Sequence, residues 1–296
     1  MKLIKPSFEI WNQPAGLEGV YKQIERVGRV CYKSEDKITE DSAKPFVDRM
    51  IKSGHGAMLE HGTVYLKCET EAINRYIHPE DGEEEDFNKL EKYEYNSYSV
   101  TSDDGIYLYV TTNLRVLVEN DWLDDLQYIC EPTEFHEKRI TVHFVCDRGV
   151  SHEFVRHRVM SFAQESTRYC NYSKDKFGNE LTFIQPCWLD DERLKLYGPY
   201  HTVIRDKSLE SIFIASLNNA EKDYIDLIDL GWKPQEARAV LPNSLKTELV
   251  VTGFVSDWNH FFDLRARGTT GAPHPQAKEL AEPLMKEFIA RKYINN

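Results

Sequence analysis

The alternation of apolar and polar positions sorts most of the chain into short elements. Val20, Ile24 and Val27 recur at helical spacing within "LEGVYKQIERVGRVCY". "DSAKPFVDRMIKSGHG" reads as a second helix, capped near Asp41 or Ser42 and stopped at Gly54. "TVYLKC" alternates with the period of a strand, and "YSVTSDDGIYLYVTT" predicts a hairpin turning at Asp104-Gly105. "NLRVLVENDWLDDLQYIC" predicts one helix with Thr112 or Asn113 as its cap. "RITVHFVC" is the next strand, and "DRGVSHEFVRHRVM" turns into a helix. "LESIFIASLNNAEKDYIDLIDLG" is a long helix ended by Gly231, followed by a short one in "KPQEARAVLP" with Pro234 in its first turn. "LKTELVVTGFV" is a strand, "SDWNHFFDLRAR" a helix opened by Ser256 or Asp257, and "HPQAKELAEPLMKEFIARKY" a last helix.

Strands and helices mix without a regular βαβ rhythm, which points to the α+β class, expected as a mixed sheet flanked by helices. No internal repeat is present. The expectation is a single domain over residues 1–296, with residues 70–138 an elaboration inserted between two core strands. The acidic stretch "HPEDGEEEDFNKLEKYEYNSY" reads as solvated surface.

Charge narrows the function classes. A formal net charge of −12 argues against a nonspecific nucleic-acid binder, which needs a basic field, but not against a small anion held locally. Six scattered cysteines without a C-x-x-C pair argue against disulfides and a zinc ribbon. No apolar run reaches the roughly 20 residues of a spanning helix, so no membrane is expected. The start "MKLIKPSFEIWNQPAG" has no apolar leader pattern, and a cytoplasmic location is expected.

Against that acidic total, "RHRVMSFAQESTRY" concentrates Arg156, His157, Arg158, Ser166 and Arg168. Guanidinium forks suit phosphate oxygens, and the hydroxyls and amides offer further contacts. The alternative is a surface cluster paired with acids elsewhere. On one helix Arg156 and Arg158, two apart, would diverge. His152 and His157 are five apart, roughly 140° around a helix, and His55 and His61 are six apart. Neither pair has zincin spacing, so no metal is expected. In "SDWNHFFDLRAR", Trp258, Phe261, Phe262 and Arg265 fall at i, i+3, i+4 and i+7, which leaves a charge where an amphipathic stripe wants an apolar group. His260 sits beside that stripe. Arg238 lies on a short segment between two prolines, where a phosphate or Glu236 could hold it. No Gly-rich dinucleotide loop, P-loop or G-x-S-x-G elbow is present.

"RHRVMSFAQES" resembles the signature of the flavin-dependent thymidylate synthase family: R-H-R, seven residues, then Ser. "GRVCYKS", "SGHGAMLEH", "CDRGVSHEFVRHR", "GWKPQEARAVLP" and "DWNHFFDLR" resemble further family blocks in family order. The resemblance implies a homotetrameric α+β fold with sites at subunit interfaces and FAD bound without a Rossmann loop. The implied reaction methylates dUMP to dTMP, with 5,10-methylenetetrahydrofolate as carbon donor and NADPH as reductant of the flavin.

Carried over by position, the resemblance implies flavin contacts at Thr63, Arg156, His157, Arg158, Gln164 and His260. It implies nucleotide contacts at Glu153, Arg156, Gln164, Glu165, Ser166, Arg168, Arg238 and Arg265. Arg265, His61 and Ser166 are the implied catalytic residues: Arg265 would polarise the uracil, and Ser166 would bind and polarise, since no base is placed beside it. Glu153 stands where some members carry Gln, and Phe254 and Ser256 where Asn and Arg are frequent. Those departures leave the uracil contacts and the outer part of the flavin open. A changed product, such as a hydroxymethylated pyrimidine nucleotide, and a non-enzymatic nucleotide- or RNA-binding role are the competing readings.

Overall fold

The structure, a computed structural model, describes residues 1–70, 90–189, 191–196 and 208–295. Part of the acidic stretch, residues 78–89, lies outside the described residues.

The strands are β1 (Lys2–Ile4), β2 (Ser7–Trp11), β3 (Thr63–Glu69), β4 (Val100–Asp103), β5 (Tyr107–Asn113), β6 (Arg139–Asp147), β7 (Ser161–Gln164), β8 (Thr182–Ile184) and β9 (Lys246–Phe254). The helices are α1 (Gly16–Tyr32), α2 (Ala43–Lys52), α3 (Gly56–Leu59), α4 (Leu114–Glu119), α5 (Arg148–Phe154), α6 (Asp191–Leu196), α7 (Leu209–Asp229), α8 (Pro234–Ala237), α9 (Val255–Phe262) and α10 (Pro275–Ala290). The α+β class holds. The expected mixed sheet is instead three sheets: an antiparallel one in the order β2-β6-β9-β7, a second in the order β3-β5-β4, and the parallel pair β1-β8.

Alternation along β6 and β9 explains why the main sheet is covered on both faces. Val142, Phe144, Leu249 and Val251 point into a core with Phe154, Trp258, Phe261, Phe262 and Phe288 from α5, α9 and α10. The Phe144, Phe154 and Phe261 rings meet edge-on at 4.9–5.1 Å. On the other face Val250 and Ala163 pack with Trp11 and with Val27 and Val30 of α1. The stripe of α1 also closes the second core, where Val20 and Ile24 meet Val64 and Leu66 of β3 and Val110 of β5. The described part of residues 70–138 therefore supplies strands and core to the second sheet.

Local chemistry sets the boundaries. Gly105 turns the β4–β5 hairpin with φ +86°, and the Asp104 carboxylate accepts the N–H groups of Ile106 and Tyr107. The single helix expected from Asn113 onward is broken. Asn113 does cap it, accepting from the Val116 N–H, but α4 stops at Glu119 and Asp121 turns left-handed at φ +58°. A tighter helical stretch, Leu123–Tyr128, follows. The helix after β6 is also shorter than expected. Asp147 caps α5 by accepting from the Val150 N–H, yet α5 ends at Phe154. Arg156, His157 and Arg158 thus lie on the turn leading into β7, not on a helix.

Candidate active site

Four of the expected residues converge where α5 ends and α9 runs out. Burial of Trp258, Phe261 and Phe262 fixes α9, and the chain then widens into a π-type turn over Asp263–Arg267 that carries Arg265. Arg265 donates from Nε to His157 Nε2 at 3.2 Å, from Nη1 to the Glu153 carboxylate at 2.6 Å and from Nη2 to the Glu153 carbonyl at 2.8 Å. A guanidinium carries five N–H donors, so part of the fork remains for a ligand.

His157 must be neutral to accept that bond. Burial, with the charges of Arg265 and His260 beside it, pushes its imidazole down to about 4. Its ring lies 5.8 Å from that of His260 and 4.9 Å from that of Phe261. The charge on the stripe of α9 has a partner in Glu153, and the pair sits at the surface end of the aromatic core.

The arginine-rich strip follows. Arg156, Arg158 and Arg168 are exposed, and among the described residues none of them makes an ion pair with an acid. Arg238, also exposed, reaches back to the strip and donates to Thr167 Oγ1 at 3.1 Å, not to Glu236. Glu236 instead accepts the Lys233 N–H that opens α8. The Ser166 hydroxyl accepts from the Arg168 N–H at 3.3 Å, and its own N–H is held by the Cys31 carbonyl. No base lies against that hydroxyl among the described residues, so nothing there activates it as a nucleophile.

Two other residues of the strip turn inward. Gln164 donates to Ser151 Oγ at 2.9 Å and Thr247 Oγ1 at 3.1 Å. Glu165 is 2% exposed, and both its oxygens are used: one accepts from the Tyr172 hydroxyl at 3.0 Å, the other from Lys246 Nζ at 2.8 Å. Lys246 continues to Glu248, which also accepts from Lys33 at 2.9 Å and bonds His143 at 2.9 Å. Burial opposes charge on Glu248, but His143, Lys246 and Lys33 hold its carboxyl well below the usual range. The acid beside the exposed arginines is thus committed to a buried network beneath them.

His61 stands apart. It is fully buried, with Nδ1 2.8 Å from the Thr252 hydroxyl, which in turn lies 2.8 Å from that of Thr141. The Phe162 carbonyl approaches the ring without forming a sound hydrogen bond at Nε2. Burial, then the Arg139 charge, pushes the imidazole down to about 3. No hydrogen bond or ring contact joins His61 to the Arg265 group among the described residues. Thr63 is likewise buried, its backbone paired with Gln13 and its hydroxyl 3.4 Å from Arg139 Nη1.

A cavity of about 400 Å³ opens beside Arg158. The Val159–Ser161 end of the arginine-bearing turn, Phe254 and Ser256 form one side, and Ser97–Val100 with Asn113, Arg115 and Val116 form the other. The Met160 side chain packs over Gly253, where a Cβ would stand 2.7 Å from its terminal methyl. Glu60, Arg115 and Arg139 line the cavity and were not anticipated. Glu60 directly precedes His61 in "SGHGAMLEH", and nothing local in the sequence marks it as cavity-facing. Arg139 opens a strand, where a charge reads simply as solvent-facing.

Fold and site together define an α+β protein with an arginine-rich surface suited to anionic ligands. The chain belongs to the family described as "Thymidylate synthase complementing protein", whose pattern matches residues 120–291. It is 32% identical over 149 residues to a flavin-dependent thymidylate synthase of Pyrococcus furiosus, covering 50% of this chain and 53% of that protein. It is 29% identical over 118 residues to a flavin-dependent thymidylate synthase of Geobacter sulfurreducens, covering 40% and 43%. The chain spans about half the length of the curated relatives it matches. The crystal structure of a UMP/dUMP methylase, PolB from Streptomyces cacaoi bound with 5-Br dUMP, superposes with a TM-score of 0.44 at 17% identity, over 98% of this chain and 93% of that one.

Proposed function

We propose that the protein is a flavin-dependent thymidylate synthase, methylating dUMP to dTMP with 5,10-methylenetetrahydrofolate as carbon donor and FAD, reduced by NADPH, as hydride source. The observation that carries this reading is the strip itself. Arg156, Arg158 and Arg168 have no acidic partner among the described residues, while Glu165 within the strip is spent on Lys246. Cations left unpaired beside a surface that could have paired them fit ligands that bring the negative charge.

The residues divide the work as follows. Arg168 and Arg238, with the Ser166 hydroxyl, hold the nucleotide phosphate. Arg265 presents its remaining donors to the uracil and stabilises charge developing on an oxygen there. Glu153 clamps that guanidinium from two sides and offsets part of its charge, a difference from a neutral Gln at this place. His157, neutral near pH 7, acts as an acceptor that orients Arg265, and no proton transfer is asked of it. Ser166 binds and polarises.

The cavity beside Arg158 fits part of a flavin nucleotide: Phe254 and Val159 offer apolar wall, and serine hydroxyls and arginines offer polar contacts. Bound there, FAD supplies the redox chemistry, and this chain's residues position it and shield it from water. His61 and Thr63 belong to the buried support behind this wall, with Thr63 reaching it through Arg139.

We read the chain as one unit, a cytoplasmic homotetramer. Among the described residues no helix is long and apolar enough to cross a membrane. Leu209 and Ile212 of α7, with Leu230 and Trp232 just beyond it, are exposed apolar groups that a subunit interface would cover.

The test is a spectrum and a product analysis. The purified protein should be yellow and should oxidise NADPH faster with dUMP present. With the folate added, the product should have the mass of dTMP. A colourless protein that does not take up FAD overturns the reading, and a hydroxymethylated product would redirect it.

A further inference from the structure

We infer that Arg139 is the anion-holding residue of the cavity beside Arg158, binding a phosphate or pyrophosphate group of a nucleotide cofactor; this rests on the flavin-nucleotide reading above. Three observations support it. First, Arg139 stands where the elements forming the cavity meet. It opens β6, pairs across the sheet with Phe254 of β9, and donates from Nη2 to Ser161 Oγ of β7 at 3.2 Å. The Phe254 ring lies 5.4 Å from its guanidinium carbon.

Second, among the described residues no acid makes an ion pair with it. Its hydrogen bonds go to neutral oxygens only: the Glu60 carbonyl at 2.9 Å, the Thr63 hydroxyl and Ser161. Its Nε–H is buried without a partner. The acids nearest to it are engaged elsewhere, the Glu60 carboxylate with Arg115 and the Asp257 carboxylate with the Phe254 N–H at 3.1 Å. Burial draws the proton affinity of Arg139 down to about 10, against a smaller opposing pull from Tyr65, Glu60 and Asp257. An unpaired buried cation is costly, and a bound anion removes that cost.

Third, the remaining lining suits a phosphate. Ser97 and Ser256 bring hydroxyls and Arg158 and Arg115 bring further guanidinium groups, while the lining carboxylates of Glu60 and Glu119 are paired with Arg115 and that of Asp257 accepts the Phe254 N–H. The far wall, from Ser97 to Glu119, comes from the segment first read as an elaboration. That segment and the Arg139 strand line one cavity of about 400 Å³ within a single chain.

The test compares flavins that differ only in phosphate. Riboflavin, FMN and FAD are titrated into flavin-stripped wild type, Arg139→Gln and Arg139→Lys, and KM for NADPH is measured on the FAD-loaded proteins. Arg139→Gln should lose about ten- to a hundredfold in affinity for the phosphorylated flavins and little for riboflavin, with Arg139→Lys in between. If the phosphate belongs to the reductant, the loss appears in KM for NADPH instead, and the shared chemistry stands. Equal weakening of riboflavin and FAD would mark Arg139 as structural, and no change in either assay would equally overturn the proposal. Should the wild type take up no flavin, the enzymatic reading fails separately. Inorganic pyrophosphate then decides: a thermal shift present in wild type and lost in Arg139→Gln supports the site, and no shift overturns it.

Discussion

The strip from Arg156 to Tyr169 and the charge network beneath it use the same residue types in opposite ways. Beneath, Glu165, Lys246, Glu248 and Lys33 are largely withdrawn from water and answer one another, with Tyr172 and His143 completing the set. On the strip, Arg156, Arg158 and Arg168 stand in solvent with no acid on them among the described residues. The two regions meet at one peptide, where Glu165 turns in and Ser166 stays with the arginines. Charges that hold a fold are paired inside it, and charges that hold a ligand are left over.

The largest effect should come from breaking the buried set. Glu248→Ala strands Lys246, Lys33 and His143, and should cost about 3–5 kcal/mol in urea unfolding. Flavin content per folded molecule should stay near wild type. A cost below about 1 kcal/mol would mean the network is not the support described here. Next comes Arg265→Ala. The protein should keep its flavin but lose dUMP-dependent turnover by about a hundred- to a thousandfold, as for other groups that stabilise developing charge. Unchanged turnover would remove Arg265 from the site.

A pH series sharpens the contrast. His157 and His61 are held neutral in the fold, at about 4 and about 3, below the ordinary imidazole value of 6.5. The unfolded chain therefore takes up these protons first as pH falls. Their contribution is complete above pH 6.5 and is lost progressively on acidification toward about 4. Urea midpoints measured from pH 7.5 to 5 should fall, and His157→Gln should flatten the fall. A variant as steep as wild type would contradict the neutral, bond-accepting His157.

Smaller effects belong to the exposed side. Arg168→Ala should move unfolding by no more than about 0.5 kcal/mol, because the exposed side chain touches only the exposed Tyr169 ring, 5.4 Å away. Ser166→Ala should reduce turnover by about tenfold or less, the loss of one neutral hydrogen bond. Abolished turnover would restore Ser166 as a nucleophile.

Legibility followed the length of the pattern. The stripe of α1, the long α7 and the strands β6 and β9 each repeat their period often enough to be read, and Asp104-Gly105 announces its own turn. The strands β1, β2, β7 and β8 span three to five residues, too few for a period to emerge, and each exists through the partner it pairs with. Asp121 broke the expected helix through a left-handed backbone that composition does not announce. Arg265 stands out in the sequence because a charge interrupts an apolar stripe, and the structure pairs it with Glu153 and His157. The burial of Glu165 and His61 was not legible, because nothing local tells which way a side chain will face. Arg139 was missed for a related reason: the absence of an acidic partner is visible only after the chain has folded.

The central claim is that the strip's unpaired arginines await a phosphorylated nucleotide. Calorimetric titration of dUMP and of deoxyuridine tests it, in wild type and in Arg168→Ala/Arg238→Ala. Wild type should prefer dUMP strongly, and the double variant should lose at least about tenfold of that preference while deoxyuridine binding and the unfolding midpoint hold. An undiminished preference for dUMP in the double variant would contradict the account.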